Sequence, residues 1–181
     1  MSRSFIAVSL FLILLIVVIG TSTNSLIRIA AEQGYAPAQF HLGVMYEYGQ
    51  GMPQDDLEAA NWYQKSAEQG YVDAQFSLGI MHYAGQGVPQ DFVLAYVPLS
   101  LAAASGDEQA LHNRDRVAYG MTPEQIEEGE AIVKQWQPGQ PLPTVSKTGR
   151  RNADSMAGTT SIVDNEPDSE EALAEIEPPR S

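Results

Sequence analysis

Side chains that can move protons, hold metals or attack a substrate are scarce in this sequence. Its 181 residues include three histidines and no cysteine. Thiolate metal sites, cysteine nucleophiles and disulfides are excluded together. His41, His82 and His112 would have to converge with carboxylates to hold a metal, and their spacing predicts no such cluster. Asp55, Asp56, Glu58 and Asp91 could be imagined as a general acid and base. Each stands at an expected helix start, where free backbone amides and the helix dipole already account for a carboxylate. The two "GQG" stretches lack the third glycine, the lysine and the flanking strand of a phosphate cradle. Trp62 and Tyr63 read as core residues. No catalytic, metal or cofactor-binding residue is expected, and no cofactor.

What the sequence does contain is a repeat. "GQGMPQD" at residues 49–55 returns as "GQGVPQD" at 85–91, and laying 31–55 over 67–91 gives 17 identities in 25 positions. A fixed period of this size marks stacked supersecondary units. In "AQFHLGVMYEY", Ala38, Leu42, Met45 and Tyr46 share one face of a helix. Gly49 follows where a helix end favours positive φ. Asp55 can then cap a second helix, with Glu58 as reciprocal partner in a capping box. Gly43 and Gly79 each follow a core leucine inside a helix, where glycine costs about 1 kcal/mol relative to alanine. Close approach of a neighbouring helix is the expected reason. Gly49, Gly51, Gly85 and Gly87 serve the linking loop. Leu42, Leu78 and Trp62 complete the structural set. Pro98 takes the slot of Trp62, so the second helix of the second unit is expected to kink or to start later than Asp91 suggests.

The pattern divides the chain. Residues 1–25 hold a sixteen-residue uncharged run, "FIAVSLFLILLIVVIG", preceded by Arg3. It is long for a signal-peptide core and short for a membrane span, so an uncleaved signal-anchor, a cleaved signal and a buried helix all stay open. The repeat region covers 26–137: a half unit at 26–34, full units at 35–70 and 71–106, and a degenerate capping unit at 107–137. There "MTPEQIEEGEAIVKQW" begins with the strong helix start of Thr122, Pro123 and Gln125. Residues 138–181, rich in Pro, Ser, Thr, Gly and acid, are expected to form a disordered tail. Residues 30–137 hold 15 acids against 4 bases, and the whole chain carries -13, which makes nucleic acid an improbable partner.

"AEQGY-x2-AQF-x-LG-x2-Y-x2-GQG-x-PQD" followed by "A-x2-WYQKSAEQG" resembles the Sel1-like repeat, a relative of the tetratricopeptide repeat. The resemblance implies an all-α superhelix, used as a non-enzymatic adaptor for protein–protein contacts and commonly exported in bacteria. The expected location is membrane-anchored through residues 5–20 with the repeats outside, or secreted or periplasmic if the segment is cleaved. The alternative from the family is binding or hydrolysis of β-lactams, described for cysteine-rich members. The lack of cysteine and of a helical S-x-x-K disfavours it.

Differences between the two copies suggest where a partner would sit. Pro37 against Asp73, His41 against Ser77, Val44 against Ile80 and Tyr48 against Ala84 lie at i, i+4, i+7 and i+11, one stripe of the first helix. Core packing would constrain both copies alike, so the stripe is expected to face solvent, and in related repeats the first helices line a groove. His41, Glu47, Tyr48, Ser77 and Tyr83 are the candidate contacts, and the acidic domain favours a partner protein with a basic segment.

Overall fold

A computed structural model describes residues 24–148. The N-terminal apolar run and the chain beyond residue 148 lie outside them. The described residues are helical, with α1 over 24–32, then α2 (Ala36–Tyr48), α3 (Asp56–Glu68), α4 (Val72–Ala84), α5 (Phe92–Ala104), α6 (Glu108–Tyr119) and α7 (Pro123–Gln135). Hairpins α2–α3 and α4–α5 are the two repeat units. Helix α3 packs on α4, and α5 on both α6 and α7, so the units stack in chain order. None of the described helices is long and apolar enough to cross a membrane.

The repeated letters perform repeated tasks. Gly49 and Gly85 close α2 and α4 at φ 65° and 69°, conformations that side chains beyond glycine rarely adopt. Gln39 and Gln75 are buried and donate to the carbonyls of Ala31 and Ala67, eight residues back, adding a second donor to carbonyls that already accept from the Gly34 and Gly70 amides at the preceding helix ends. A Cβ at Gly43 would lie 2.6 Å from the Tyr63 ring, and one at Gly79 would lie 2.6 Å from Leu99 Cγ. The expected close approach is therefore present in both units, against the slot shared by Tyr63 and Leu99. A Cβ at Gly87 would overlap the Asp56 carbonyl, so the second loop also packs against the start of α3.

Three expectations are corrected. Asp55 caps α3 by accepting from Glu58 N at 3.0 Å, but the Asp55 amide donates to the Tyr46 carbonyl instead of to Glu58. The loop uses the donor that a capping box needs. Thr122 and Gln125 do form the reciprocal box at the start of α7. Helix α5 begins where Asp91 caps it and is helical through Pro98, so of the two outcomes expected of Pro98, a kink or a late start, the late start is excluded. Nine of its thirteen residues are buried, Pro98 among them. Burial against α4, α6 and α7 outweighs one missing backbone hydrogen bond.

The third correction concerns the tail. Residues 138–148 pack across the repeats instead of leaving them. Leu142 is 4% exposed and joins the core cluster that holds Ala60, Ala67 and Val97. The Gly139 amide donates to the Glu68 carbonyl at the end of α3. A single leucine and a set of backbone hydrogen bonds suffice to order a segment whose composition suggested disorder.

Candidate interaction surface

Helices α2 and α4, the first helices of the two units, flank a cleft of about 270 Å³. Glu47, Tyr48 and Ser77 line it, together with Phe40, Val44 and Ile80. Three of the five candidate contacts thus meet in one place. His41 is exposed one residue before Leu42, its ring 5.5 Å from that of Phe40, at the cleft's margin. Tyr83 does not join them. It packs against Phe92 at 6.1 Å and lies under the Arg116 guanidinium at 5.3 Å, facing the next unit. The slot that carries Glu47 in the first copy carries Tyr83 in the second, where the neighbouring helix is α6.

The floor of the cleft was not anticipated. Tyr63, on α3, is 1% exposed, yet its hydroxyl donates to Glu47 Oε2 at 2.5 Å. Burial, then the Glu47 carboxylate, pushes the Tyr63 phenol far above its ordinary value, with Ser77 opposing through a hydrogen bond to the same oxygen. Glu47 also raises the pKa of Tyr48, chiefly by charge. Tyr48 is 66% exposed, an aromatic ring held out beside a carboxylate. One signal of the Tyr63–Glu47 pair was available: the matching slots hold Leu99 and Tyr83, so both members change together between the copies.

An exposed tyrosine, a carboxylate fixed from below and apolar side chains on both walls can hold an extended chain bearing a cation. Among the described residues, no three His, Asp or Glu side chains gather as a metal would require. His82 is buried beside Pro89 and Asp91, away from this cleft, and desolvation lowers its pKa. His112 is exposed on α6. Trp62 is half-buried against the α1–α2 cluster with the Lys65 ammonium 3.9 Å from its ring centre.

The Sel1 repeat family model matches two consecutive stretches of the chain, residues 36–71 and 72–107. No curated protein matches the chain. Among solved structures, a protective antigen present in uropathogenic Escherichia coli strains and displaying an SLR fold is similar, with 26% identity and a TM-score of 0.59. The similarity covers 87% of this chain and 30% of that one. A Sel1 repeat protein from Oxalobacter formigenes is 37% identical over 50% of this chain and 37% of its own, with a TM-score of 0.49. The chain therefore spans about a third of the length of each. Proteins built from such repeats generally mediate protein–protein contacts.

Proposed function

We propose that this chain is a non-enzymatic scaffold that is exported, tethered to a membrane through residues 5–20, and receives a basic segment of a partner protein in the α2–α4 cleft. The observation that carries the binding reading is Tyr48 exposed beside Glu47, with the carboxylate pinned by Tyr63 from the cleft floor. A fixed carboxylate flanked by an aromatic face favours a lysine or arginine side chain over a neutral one. Holding the acceptor in place beforehand lowers the ordering cost of binding. The excess of acids over bases across residues 30–137 steers the same kind of partner. Export rests on Arg3 followed by sixteen uncharged residues, with no further base until Arg28.

The experiment uses the full chain. Parent, Glu47→Gln and Tyr48→Ala forms are immobilised and incubated with membrane and periplasmic extracts, at low salt and at high salt. A partner retained by the parent, weakened by either change and released by salt supports the cleft. Equal retention by all three forms sinks it. Carbonate extraction and sequencing of the mature N-terminus test the tether: a soluble form beginning near residue 21 would replace it with a cleaved signal.

A further inference from the structure

A second surface, on the opposite hairpin arms, already holds a peptide. Residues 138–148 follow a turn in which Trp136 Nε1 donates to the Gln140 carbonyl and Gly139 takes φ 92°. They then run along α3, the start of α5, and α7. Side chains of those helices bind the segment's backbone as a receptor binds a ligand. Glu68 accepts from the Leu142 amide at 3.1 Å, and Gln64 donates to the Leu142 carbonyl at 3.1 Å. The Ser146 hydroxyl donates to Asp91 Oδ2. Glu128 accepts from the amides of Lys147 and Thr148 and from the Thr148 hydroxyl. Leu142 is the one deeply buried anchor, and Ser146 and Thr148 are the buried hydroxyls.

The segment fits this surface incompletely. Beside it lies a cleft of about 450 Å³, lined by the apolar Leu78, Val88, Pro89 and Leu94 and by polar side chains that include His82 and Asp91, with Val145 of the segment also on its lining. Val145 is 50% exposed, so half of its surface stays in solvent. A mostly apolar cleft of this size with a few polar groups, next to a bound extended strand, is a side-chain pocket that can take a larger residue.

We propose that the α3–α5–α7 face is a second docking surface, occupied in cis by residues 138–148. Its partner is an extended segment of another protein with a leucine in the Leu142 position, a large aromatic residue in the Val145 position, and Ser or Thr in the positions of Ser146 and Thr148. Such a segment reproduces the polar contacts and adds the burial that valine lacks, so it displaces the cis segment. The proposal stands independently of the α2–α4 cleft.

The test uses two fluorescent peptides, residues 137–148 and the same peptide carrying Val145→Phe. Both are titrated against the full parent chain and against the full Leu142→Glu chain, whose own segment is unseated. The Val145→Phe peptide is expected to bind the Leu142→Glu chain about tenfold tighter than the unaltered peptide does, as an aromatic anchor in a pocket should. Its binding to the parent is expected to be about tenfold weaker than to the variant, because only the open fraction can receive it. A Leu142→Glu chain that melts like the parent but binds neither peptide overturns the proposal, as does equal affinity of the two peptides. Hydrogen exchange on the parent needs no variant. Saturating Val145→Phe peptide should speed exchange at residues 139–148 while α3, α5 and α7 keep their protection. Unchanged exchange at these residues would overturn displacement. A concentration-dependent dimer of the parent that Leu142→Glu abolishes would assign the surface to a second copy and overturn the separate partner.

Discussion

The Tyr63 hydroxyl and the Glu47 carboxylate, on consecutive helices, meet at 2.5 Å. Tyr63 is buried, its ring packs where a Cβ on Gly43 would stand, and the residue lines the α2–α4 cleft. One residue thereby joins the close packing of the hairpin to the polar floor of the candidate site. Tyr63→Phe keeps the ring and removes the donor, so it should cost about 1 kcal/mol in urea unfolding, a typical net hydrogen-bond contribution. Its larger effect should fall on partner binding, because Glu47 loses the contact that orients it.

The same pair sets a pH response. The folded chain holds the Tyr63 proton well above the ordinary pKa of 10.0, through burial first and Glu47 second. Above that pH the unfolded chain releases this proton and the folded chain keeps it, so the folded state binds more protons and stability falls as pH rises. The contribution is fully present below pH 10 and is lost above it. Urea midpoints from pH 9 to 11 should fall more steeply for the parent than for Tyr63→Phe. Equal slopes would show that Tyr63 titrates alike in both states.

His82 should act on the acid side. Burial lowers its pKa from 6.5, against smaller opposing effects of the Pro89 carbonyl and Asp91, and its Nδ1 is buried without a hydrogen-bond partner. The unfolded chain takes up a proton as pH falls through 6.5 while the folded chain resists, so stability present above pH 6.5 is lost on acidification. The equivalent slot in the first copy holds Tyr46, which makes His82→Tyr a natural replacement. Between pH 7.5 and 5.5 the urea midpoint of the parent should drop further than that of His82→Tyr. Parallel curves would remove His82 from the acid response.

How much of this was legible depended on how each contact is encoded. Gly43 and Gly79 announced close helix packing because glycine inside a helix is costly and both copies pay it at the same slot. The Asp caps, the Gly turns and the hairpin boundaries could be read because each is local in sequence. The Tyr63–Glu47 bond spans 16 residues and two helices, and apart from the joint change of both slots to Leu99 and Tyr83 nothing in the sequence says where the tyrosine oxygen points. Residues 138–148 were illegible for a different reason. Their hold depends on Glu68 and Asp91, which lie 74 and 55 residues from their partners and read locally as ordinary helix-end acids.

Pro98 gives a test in which two magnitudes oppose each other. Inside α5 it forgoes a backbone hydrogen bond and meets the carbonyl four residues back, a cost of about 3 kcal/mol. Its buried ring contributes about 0.8 kcal/mol for each methylene that alanine would remove, or about 1.6 kcal/mol. Pro98→Ala should therefore stabilise the chain by about 1 kcal/mol, read as a higher urea midpoint. A lower midpoint would mean that α5 bends around Pro98 without strain and that its ring is chiefly a packing element.

Gly79 should resist substitution more than helix propensity suggests. Alanine in place of an interior glycine gains about 1 kcal/mol from propensity. The added Cβ would stand 2.6 Å from Leu99 Cγ and 3.1 Å from the Ala95 carbonyl, and the carbonyl belongs to a helix backbone that cannot swing aside. Overpacking of this kind costs about 1–3 kcal/mol for a small group, and more for a large one. Gly79→Ala should be net destabilising and Gly79→Leu should cost at least about 2 kcal/mol. In a Leu99→Ala background, itself destabilised by lost burial, Gly79→Ala should cost less than in the parent, since the Cγ clash is gone while the carbonyl remains. A melting temperature unchanged in Gly79→Leu would remove Gly79 from the α4–α5 interface.

The binding face separates two tyrosines that the sequence placed together. Tyr48 is exposed at the cleft and touches little of the core, whereas Tyr83 is half-buried between Phe92 and Arg116. Tyr48→Ala should leave the melting temperature within error and weaken a captured partner by about 1–2 kcal/mol, the usual scale for a useful aromatic contact. Tyr83→Ala should do the reverse, lowering stability by about 2 kcal/mol or more through lost burial, with partner affinity unchanged in the folded fraction. Glu47→Gln isolates the charge: it keeps an acceptor for the Tyr63 hydroxyl and should reduce both the affinity and its dependence on salt. If Tyr48→Ala and Glu47→Gln bind the partner as the parent does, the α2–α4 cleft is an ordinary solvated face. Attention then moves to the surface beneath residues 138–148, where the same partner should compete with the Val145→Phe peptide.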